Sequence, residues 1–590
     1  MELKPRTRWL NSFMTFGFKA ADTLTILWRL VPRILVVGML CGWVISHLAL
    51  PSNTILREII NRPYISSVAL VFIALAFDAL VIYPRIRDPL QTLPNTTRCT
   101  TMMVESPRGK SALAAMRDYP DAPLIRVEGR YVVLCAGHDG LRDILSTHAS
   151  DFEKPWPIRS FLARPLGWGV IVNEGPLHHR QRRILNPAFH IGKIRMLYGL
   201  MWAKVLIFGQ KLEEILNEVP ERTKDGWVEV EIAELASRLT LDIIGPAAMG
   251  RDFQSLTTNG SNISDAYLEL LRPSFGRMIF AGINFTLPQW IVQLLPLESN
   301  RILTGISKFL KETCGEILAD KKREIAEGKK RAPGLQHPEA NYRNGRADRR
   351  GDQGSDVDFL GCRVNHNYKD LPTGDLQHET TAGALTWACY LCAMNPDIQR
   401  KLRAEIHARL EYVGGAPPEG ISWDVLESMP YLNGFCEEVL RLYPTVPVTV
   451  REAQRETYVA GYRVPPKTVF LLVPYATNRN PVAWGADADQ CVPERWIDTD
   501  PRTGAASRNK TGGTTSNFAS LTFLHGPRAC IGQDFAKAEL RCAVAGLVGG
   551  FEVQLRPDQE EPRISGVITA KAEGGMRLLF RKAAAEEVEV

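Results

Sequence analysis

Histidine is scarce in this chain: eleven among 590 residues, too few and too scattered for a zinc-finger rhythm. Eleven cysteines are also present, but without a disulfide spacing, which places the main domain in a reducing environment. A single CxxC, Cys389 and Cys392, lies inside an apolar helical run with no second pair, so it reads as two core thiols rather than a metal or redox site. Excess charge is lacking as well. A formal net charge of +6 over this length gives no reason to expect nucleic acid as a partner. There is no internal repeat and no low-complexity bias. With 45% apolar and 23% charged residues, most of the chain is expected to form a packed core. The length fits one large domain with an additional segment.

That segment is N-terminal. Residues 34–50 (ILVVGMLCGWVISHLAL) carry no formal charge, and residues 64–83 carry only Asp78. Each run approaches the roughly 20 residues needed to cross a bilayer. The first starts too late for a cleaved signal peptide and is followed by the second. Lys4, Arg6, Arg8, Lys19, Arg29 and Arg33 precede the first run, and Arg85 and Arg87 follow the second. Only Arg57 and Arg62 lie between them. The positive-inside rule then places both the N-terminus and the main domain in the cytosol. One span with a second, surface-lying apolar helix is the alternative. Residues 1–83 are accordingly expected to be a membrane anchor, and 84–106, with their prolines, a stiff extended connector.

Residues 107–583 form the main domain, with 584–590 as a tail. Apolar residues recur at three- and four-residue steps in 141–147, 193–216, 232–244 and 302–325, so the stretch from 107 to 326 reads as mainly helical. Residues 329–356 have many charges and almost no large aliphatics, the composition of a disordered loop. Helical pattern returns at 378–410, 429–443 and 531–548, with short strand-like runs at 446–450, 458–464 and 468–473. The fold class expected is mainly α with small β-sheets.

The chemistry gathers near the C-terminus, in Phe523-Leu-His-Gly526-Pro-Arg528-Ala-Cys530-Ile-Gly532. Gly526 and Pro527 force a turn, and Gly532 allows a close approach of the backbone to something flat. Cys530 stands where a helix begins, and the free amides of a helix N-terminus stabilise a thiolate. Arg528 adds a cation two residues away. A thiolate held in this way suits an axial position on haem iron. A lone cysteine at a loop–helix junction is more often a core thiol, but this one belongs to a ten-residue pattern.

The string resembles the F-x-x-G-x-R-x-C-x-G signature of the cytochromes P-450, and the following FAKAEL resembles their fungal members. The resemblance implies the P-450 fold, a haem b cofactor with Cys530 as its iron ligand, and a monooxygenase. It also implies a membrane-bound protein of the endoplasmic reticulum with its catalytic domain facing the cytosol. Further motifs agree with it. Glu438 and Arg441 lie one helical turn apart, and PERW follows at 493–496. In the family these supply a buried triad, here Glu438, Arg441 and Arg495. In EGPLHHRQRRILNPAF, His178 and Arg182 are four residues apart, the family's spacing for a propionate-binding pair, and Arg451 resembles a further propionate contact. Arginine suits that task through its bidentate geometry. No flavin or nicotinamide domain follows, so electrons are expected from an NADPH-cytochrome P-450 reductase. The basic helix around His179, Arg180 and Arg183, with Lys537 and Arg541, is a candidate face for that acidic partner. The substrate is expected to be an apolar small molecule of secondary metabolism; a fatty acid or alkane is the alternative. The loop 446–450 and the run 278–290 resemble the family's substrate-facing segments.

One motif departs from the pattern. His378-Glu379-Thr380-Thr381 resembles the family's acid–alcohol pair, which assigns Glu379 and Thr380 to proton delivery. The two preceding positions, however, are Leu376 and Gln377, where a small residue and glycine belong. Upstream, Pro372 and Gly374 break any helix. The first half of the oxygen-binding helix is expected to be missing. Either residues 361–377 are a gene-model artefact, or the chain is a catalytically impaired haem protein.

Overall fold

The computed structural model describes residues 88–583 apart from 103–104, 128–131, 219–224, most of 259–288, 328–357, 360–361, 364–376, 413–416 and 567–568. The apolar runs at 34–50 and 64–83, the insert 329–356 and the tail 584–590 lie outside these residues. Among the described residues no helix is long and apolar enough to cross a membrane.

Ten longer helices carry the fold: α1 (Lys110–Asp118), α2 (Trp156–Leu166), α3 (Gly175–Leu185), α4 (Tyr198–Glu218), α5 (Ile232–Ile244), α6 (Glu298–Ala326), α7 (Gln377–Met394), α8 (Pro396–Arg409), α9 (Pro430–Leu442) and α10 (Gln533–Gly550). Local chemistry sets their ends. The Glu231 carboxylate accepts the backbone N–H groups of Ala233 and Glu234 and so caps α5. Pro396, at the first position of α8, ends the helical run that sequence periodicity extends from 378 to 410. Helices α4, α5, α7, α9 and α10 enclose the largest core, which includes Trp202, Trp387, Phe435 and Leu540.

The sheets are where the sequence reading of 107–326 needs correction. Strands β1 (Asn95–Thr96), β2 (Leu124–Val127), β3 (Val132–Cys135) and β4 (Phe152–Glu153) join β6 (Thr449–Ala453) and β7 (Val469–Leu472) in one sheet of order β1-β2-β3-β7-β6-β4. β5 (Val228–Glu231) pairs with β9 (Arg577–Lys582), which also pairs with β8 (Phe551–Gln554). These early strands are two to four residues long. They are too short to show a period of two, and partners more than 300 residues away hold several of them.

The connector also differs from expectation. From Asp88 onward it is no extended spacer: Leu90 and Leu93 are buried in the core beside the large sheet. Asp88, itself buried, lies 3.5 Å from Arg126. The packed domain therefore begins by residue 88, because two leucines among the prolines contribute apolar area that the core takes up.

Candidate active site

The cysteine loop is built by backbone hydrogen bonds and one obligatory glycine. Gly526 adopts φ +70°, and a Cβ there would collide with the Leu145 carbonyl oxygen, so no larger residue fits. The Cys530 N–H donates to the Phe523 carbonyl at 2.8 Å, closing the loop on itself. Lys537 lies over the Phe523 ring. Gly532 precedes α10 at a φ of −90°, a conformation open to any residue, so left-handed geometry is not what asks for glycine there.

Of the eight described cysteines, Cys530 is the exposed one; Cys99, Cys135, Cys389, Cys392, Cys436 and Cys542 are buried and Cys491 nearly so. Although solvent reaches it, protein surrounds Cys530 on most sides. Desolvation raises its thiol, against the lowering pull of the Gly532 N–H and of Arg182. The N–H before the helix acts as the sequence suggests, but Arg528 does not supply the cation expected of it. The cation acting on the sulfur is Arg182. Arg528 turns away, donating to the carbonyls of Ala149 (2.8 Å) and Phe152 (2.6 Å) and lying 2.6 Å from the Glu174 carboxylate. A coordinating metal deprotonates a thiol outright, and a haem iron bound at Cys530 would supply the pull that the surrounding residues do not.

Around this loop charge of one sign converges. Arg182, on α3, donates to the Ala529 carbonyl. Arg451, on β6, is fully buried; desolvation lowers it to about 10, with Arg528 adding to the effect and Glu174 opposing it. Lys154 is lowered to about 8, first by burial and then by Arg451, while its Nζ lies 3.0 Å from Glu174. His178, one turn before Arg182, is buried and held uncharged: burial, then Arg528, brings it down to about 4. Four cations thus face one carboxylate. Buried charge needs a partner, and the propionates of a haem held at Cys530 would supply that balance. The residues present fit the group. Sequence reading missed Lys154 and Glu174; the only signal was the segment EKPW ahead of EGPLHH, which places both residues close to the propionate-type helix.

The buried triad positions come together on the other side of the loop. Arg441 grips Glu438 through two hydrogen bonds of 2.7 Å, and both side chains are fully buried. Arg495 stands 3.7 Å from the same carboxylate and 2.9 Å from Asp487. The Trp496 indole N–H (2.8 Å) and the Val492 N–H (2.9 Å) also donate to Glu438. Its neighbour Glu437 was not foreseen; it holds Lys537 (2.7 Å) and Arg508 (2.7 Å). Lys537 is therefore committed inside the fold, and Arg541 is buried against Tyr198 and Glu427. Neither belongs to an outward positive face. His179, Arg180 and Arg183 do remain exposed.

On α7, Glu379 is buried and accepts a hydrogen bond from Ser237 at 2.8 Å, while Lys571 forms an ion pair with it. Thr380 is half-buried. The Thr381 hydroxyl is hydrogen-bonded to Glu539 of α10, whose carboxyl burial pushes up to about 8. This contact sets the first turn of α7 against the helix that follows Cys530. The doubtful residues 361–377 lie outside the described residues, apart from Gln377 and part of a hairpin pairing 358–359 with 362–363. In the segment 278–290 expected to face the substrate, Phe280 packs on Phe161, whereas Trp290 is 67% exposed.

An accessible cysteine in the loop before a helix, with Arg182 acting on its sulfur in a mainly helical fold, is the arrangement of a haem-thiolate protein. The comparisons agree. Residues 109–576 match the family model described as Cytochrome P-450, and the chain belongs to that family. It is 33% identical to the cytochrome P-450 monooxygenase sphH of Aspergillus fumigatus, over 84% of this chain and 89% of that protein. It is 31% identical to the monooxygenase ALT8 of Alternaria alternata, over 85% and 91% of the two chains. The same identity, over 85% and 90%, relates it to the monooxygenase FUM15 of Gibberella moniliformis. The family gives a haem cofactor, a redox partner, a small-molecule substrate and monooxygenase chemistry.

Proposed function

We propose that this chain is a membrane-anchored haem b monooxygenase that takes electrons from an NADPH-cytochrome P-450 reductase and oxidises an apolar small molecule of fungal secondary metabolism. The observation that carries the reading is the exposed Cys530 in the loop before α10, near four cations that share a single carboxylate. The bound haem supplies the redox centre at which one atom of O2 is transferred. Arg182, Arg451 and Lys154 would hold its propionates, with His178 as an uncharged neighbour. Arg528 and Glu174 fix the loop against the sheet. Glu379 and Thr380 move protons to the reacting oxygen, and the exposed His179, Arg180 and Arg183 offer a positive face to the acidic reductase. The relatives are fungal monooxygenases, which favours secondary metabolism over fatty-acid or alkane hydroxylation. The anchor at 34–50 and 64–83 places the protein on the endoplasmic reticulum with its catalytic domain in the cytosol.

The test is co-expression with a fungal reductase in microsomes. The reduced carbonyl complex should show the thiolate-type Soret band, and NADPH oxidation should yield product from an apolar substrate panel. Removing residues 1–83 should release most of the protein from membranes; unchanged sedimentation would count against the anchor. A second reading is a haem protein that cannot activate oxygen. Among the described residues α7 begins at Gln377, two residues before Glu379. NADPH consumed with no product from the chain as written supports that reading. A transcript encoding a longer apolar helix in place of 361–377 supports the gene-model artefact.

A further inference from the structure

The triad and the cysteine loop are separate in sequence, and one buried amide joins them. Asn478 follows a short helical turn and has no solvent exposure. Its carbonyl oxygen accepts the Arg441 guanidinium at 2.9 Å, and its side-chain amide donates back to the Arg441 carbonyl at 3.0 Å. The same amide nitrogen donates to the Thr522 hydroxyl at 2.8 Å, and the side-chain oxygen accepts the Leu521 N–H at 2.8 Å. Thr522 in turn donates to the Leu440 carbonyl at 2.8 Å. The orientation of the amide follows from its partners, because a flipped amide would set its oxygen against the Arg441 carbonyl and its nitrogen against the Leu521 N–H. Leu521 and Thr522 directly precede Phe523, whose carbonyl accepts the Cys530 N–H.

We propose that Asn478 is a positioning residue for the Cys530 ligand, transmitting the rigidity of the buried Glu438–Arg441 pair to the segment Leu521–Thr522 from which the cysteine loop departs. The inference rests on the haem-thiolate reading above. The bonds of Asn478 to Arg441 and Leu521 are buried and those through Thr522 partly so, and a deletion at Asn478 leaves orphaned groups that water does not readily reach. Asn478 bonds Arg441 of α9 to both Leu521 and Thr522, alongside the bond from Thr522 to the Leu440 carbonyl of the same helix.

Two variants of the full-length, haem-loaded protein test this. Asn478→Asp removes both side-chain donations while keeping the acceptor for Leu521. Thr522→Val removes the hydroxyl at nearly constant volume. In each, the thiolate-type Soret band of the reduced carbonyl complex should decay to the thiol-type band about five- to tenfold faster than in the wild type. It should do so at a temperature where far-UV circular dichroism is unchanged, which a merely structural role would not produce. Should Asn478→Asp fail to load haem, Thr522→Val decides. Wild-type decay rates in Thr522→Val, or decay that only follows loss of helix, overturn the proposal while leaving the haem-thiolate reading intact. A wild type that never shows the thiolate-type band overturns the reading itself.

Discussion

The two sides of the site proposed to hold haem are built in different ways. On the cysteine side, residues from β4, α3, β6, α9 and the loop before α10 converge through short, buried, charge-assisted bonds: Arg528 to Ala149, Phe152 and Glu174, and Arg441 to Glu438. On the opposite side, the acid Glu379 is engaged by Ser237 and Lys571 within one turn of the start of α7. The cysteine side rests on many contacts drawn from several elements. The oxygen side depends on one helix turn and on whatever precedes it. Damage is therefore expected to appear as loss of the cofactor on the first face and as wasted electrons on the second.

Cys530→Ser gives the largest effect expected on the cysteine side. Only an anionic sulfur supplies the electron donation that marks the thiolate-ligated spectrum. The thiolate-type band should vanish altogether, and a variant that keeps it would remove Cys530 from the iron. Next comes Glu438→Gln. It strands the buried Arg441 guanidinium, and breaking one partner of a buried ion pair costs about 3–5 kcal/mol. Haem content on purification should fall sharply, with the remaining protein unfolding at lower denaturant. Full occupancy and an unshifted midpoint would show that the hydrogen bonds to carbonyls carry Arg441 alone.

A third probe uses pH. His178 is brought down to about 4 in the folded chain, mainly by burial. Below the ordinary histidine range, near 6.5, the unfolded chain binds a proton that the folded chain refuses. Stability should therefore fall as pH drops from about 6.5 to about 4, by up to about 3 kcal/mol from this group. His178→Gln should flatten that part of the stability profile of the haem-free protein. An equal acid slope in the variant would mean that other groups take up the proton.

How much of this was legible in the sequence follows the same division. The cysteine loop, the pair Glu438 and Arg441, and His178 with Arg182 are contiguous or one helical turn apart, so spacing alone brings them together. Lys154 and Glu174 were not legible as a pair, because they meet through tertiary folding across 20 residues and a helix. Strands of two to four residues were missed because their pairing is long-range, and the connector because two leucines in a proline-rich segment carry no periodicity. Lys537 and Arg541 read as surface charge because a sequence gives no hint that Glu437 and Glu427 await them inside. The asparagine at 478 carries no sequence signal at all.

The smallest effect expected is on the oxygen side, and it bears most directly on whether the chain works as written. Thr380 is half-buried in the first turn of α7, next to a glutamate already paired with Lys571. Its neighbour Thr381 spends its hydroxyl on Glu539, so it cannot take over a delivery role without breaking that bond. If Thr380 delivers protons, Thr380→Ala should leave the carbonyl spectrum and haem content intact while the ratio of NADPH oxidised to product formed rises several-fold, on the order of 1 kcal/mol in the partition between productive and wasted turnover. Lys571→Met is the paired control: it removes the cation holding Glu379, and coupling should change in that variant too if the acid belongs to the same relay. Unaltered coupling in Thr380→Ala, with product still formed, would mean that protons reach the oxygen by another route, and that the departure at Leu376 and Gln377 has displaced the relay from this turn.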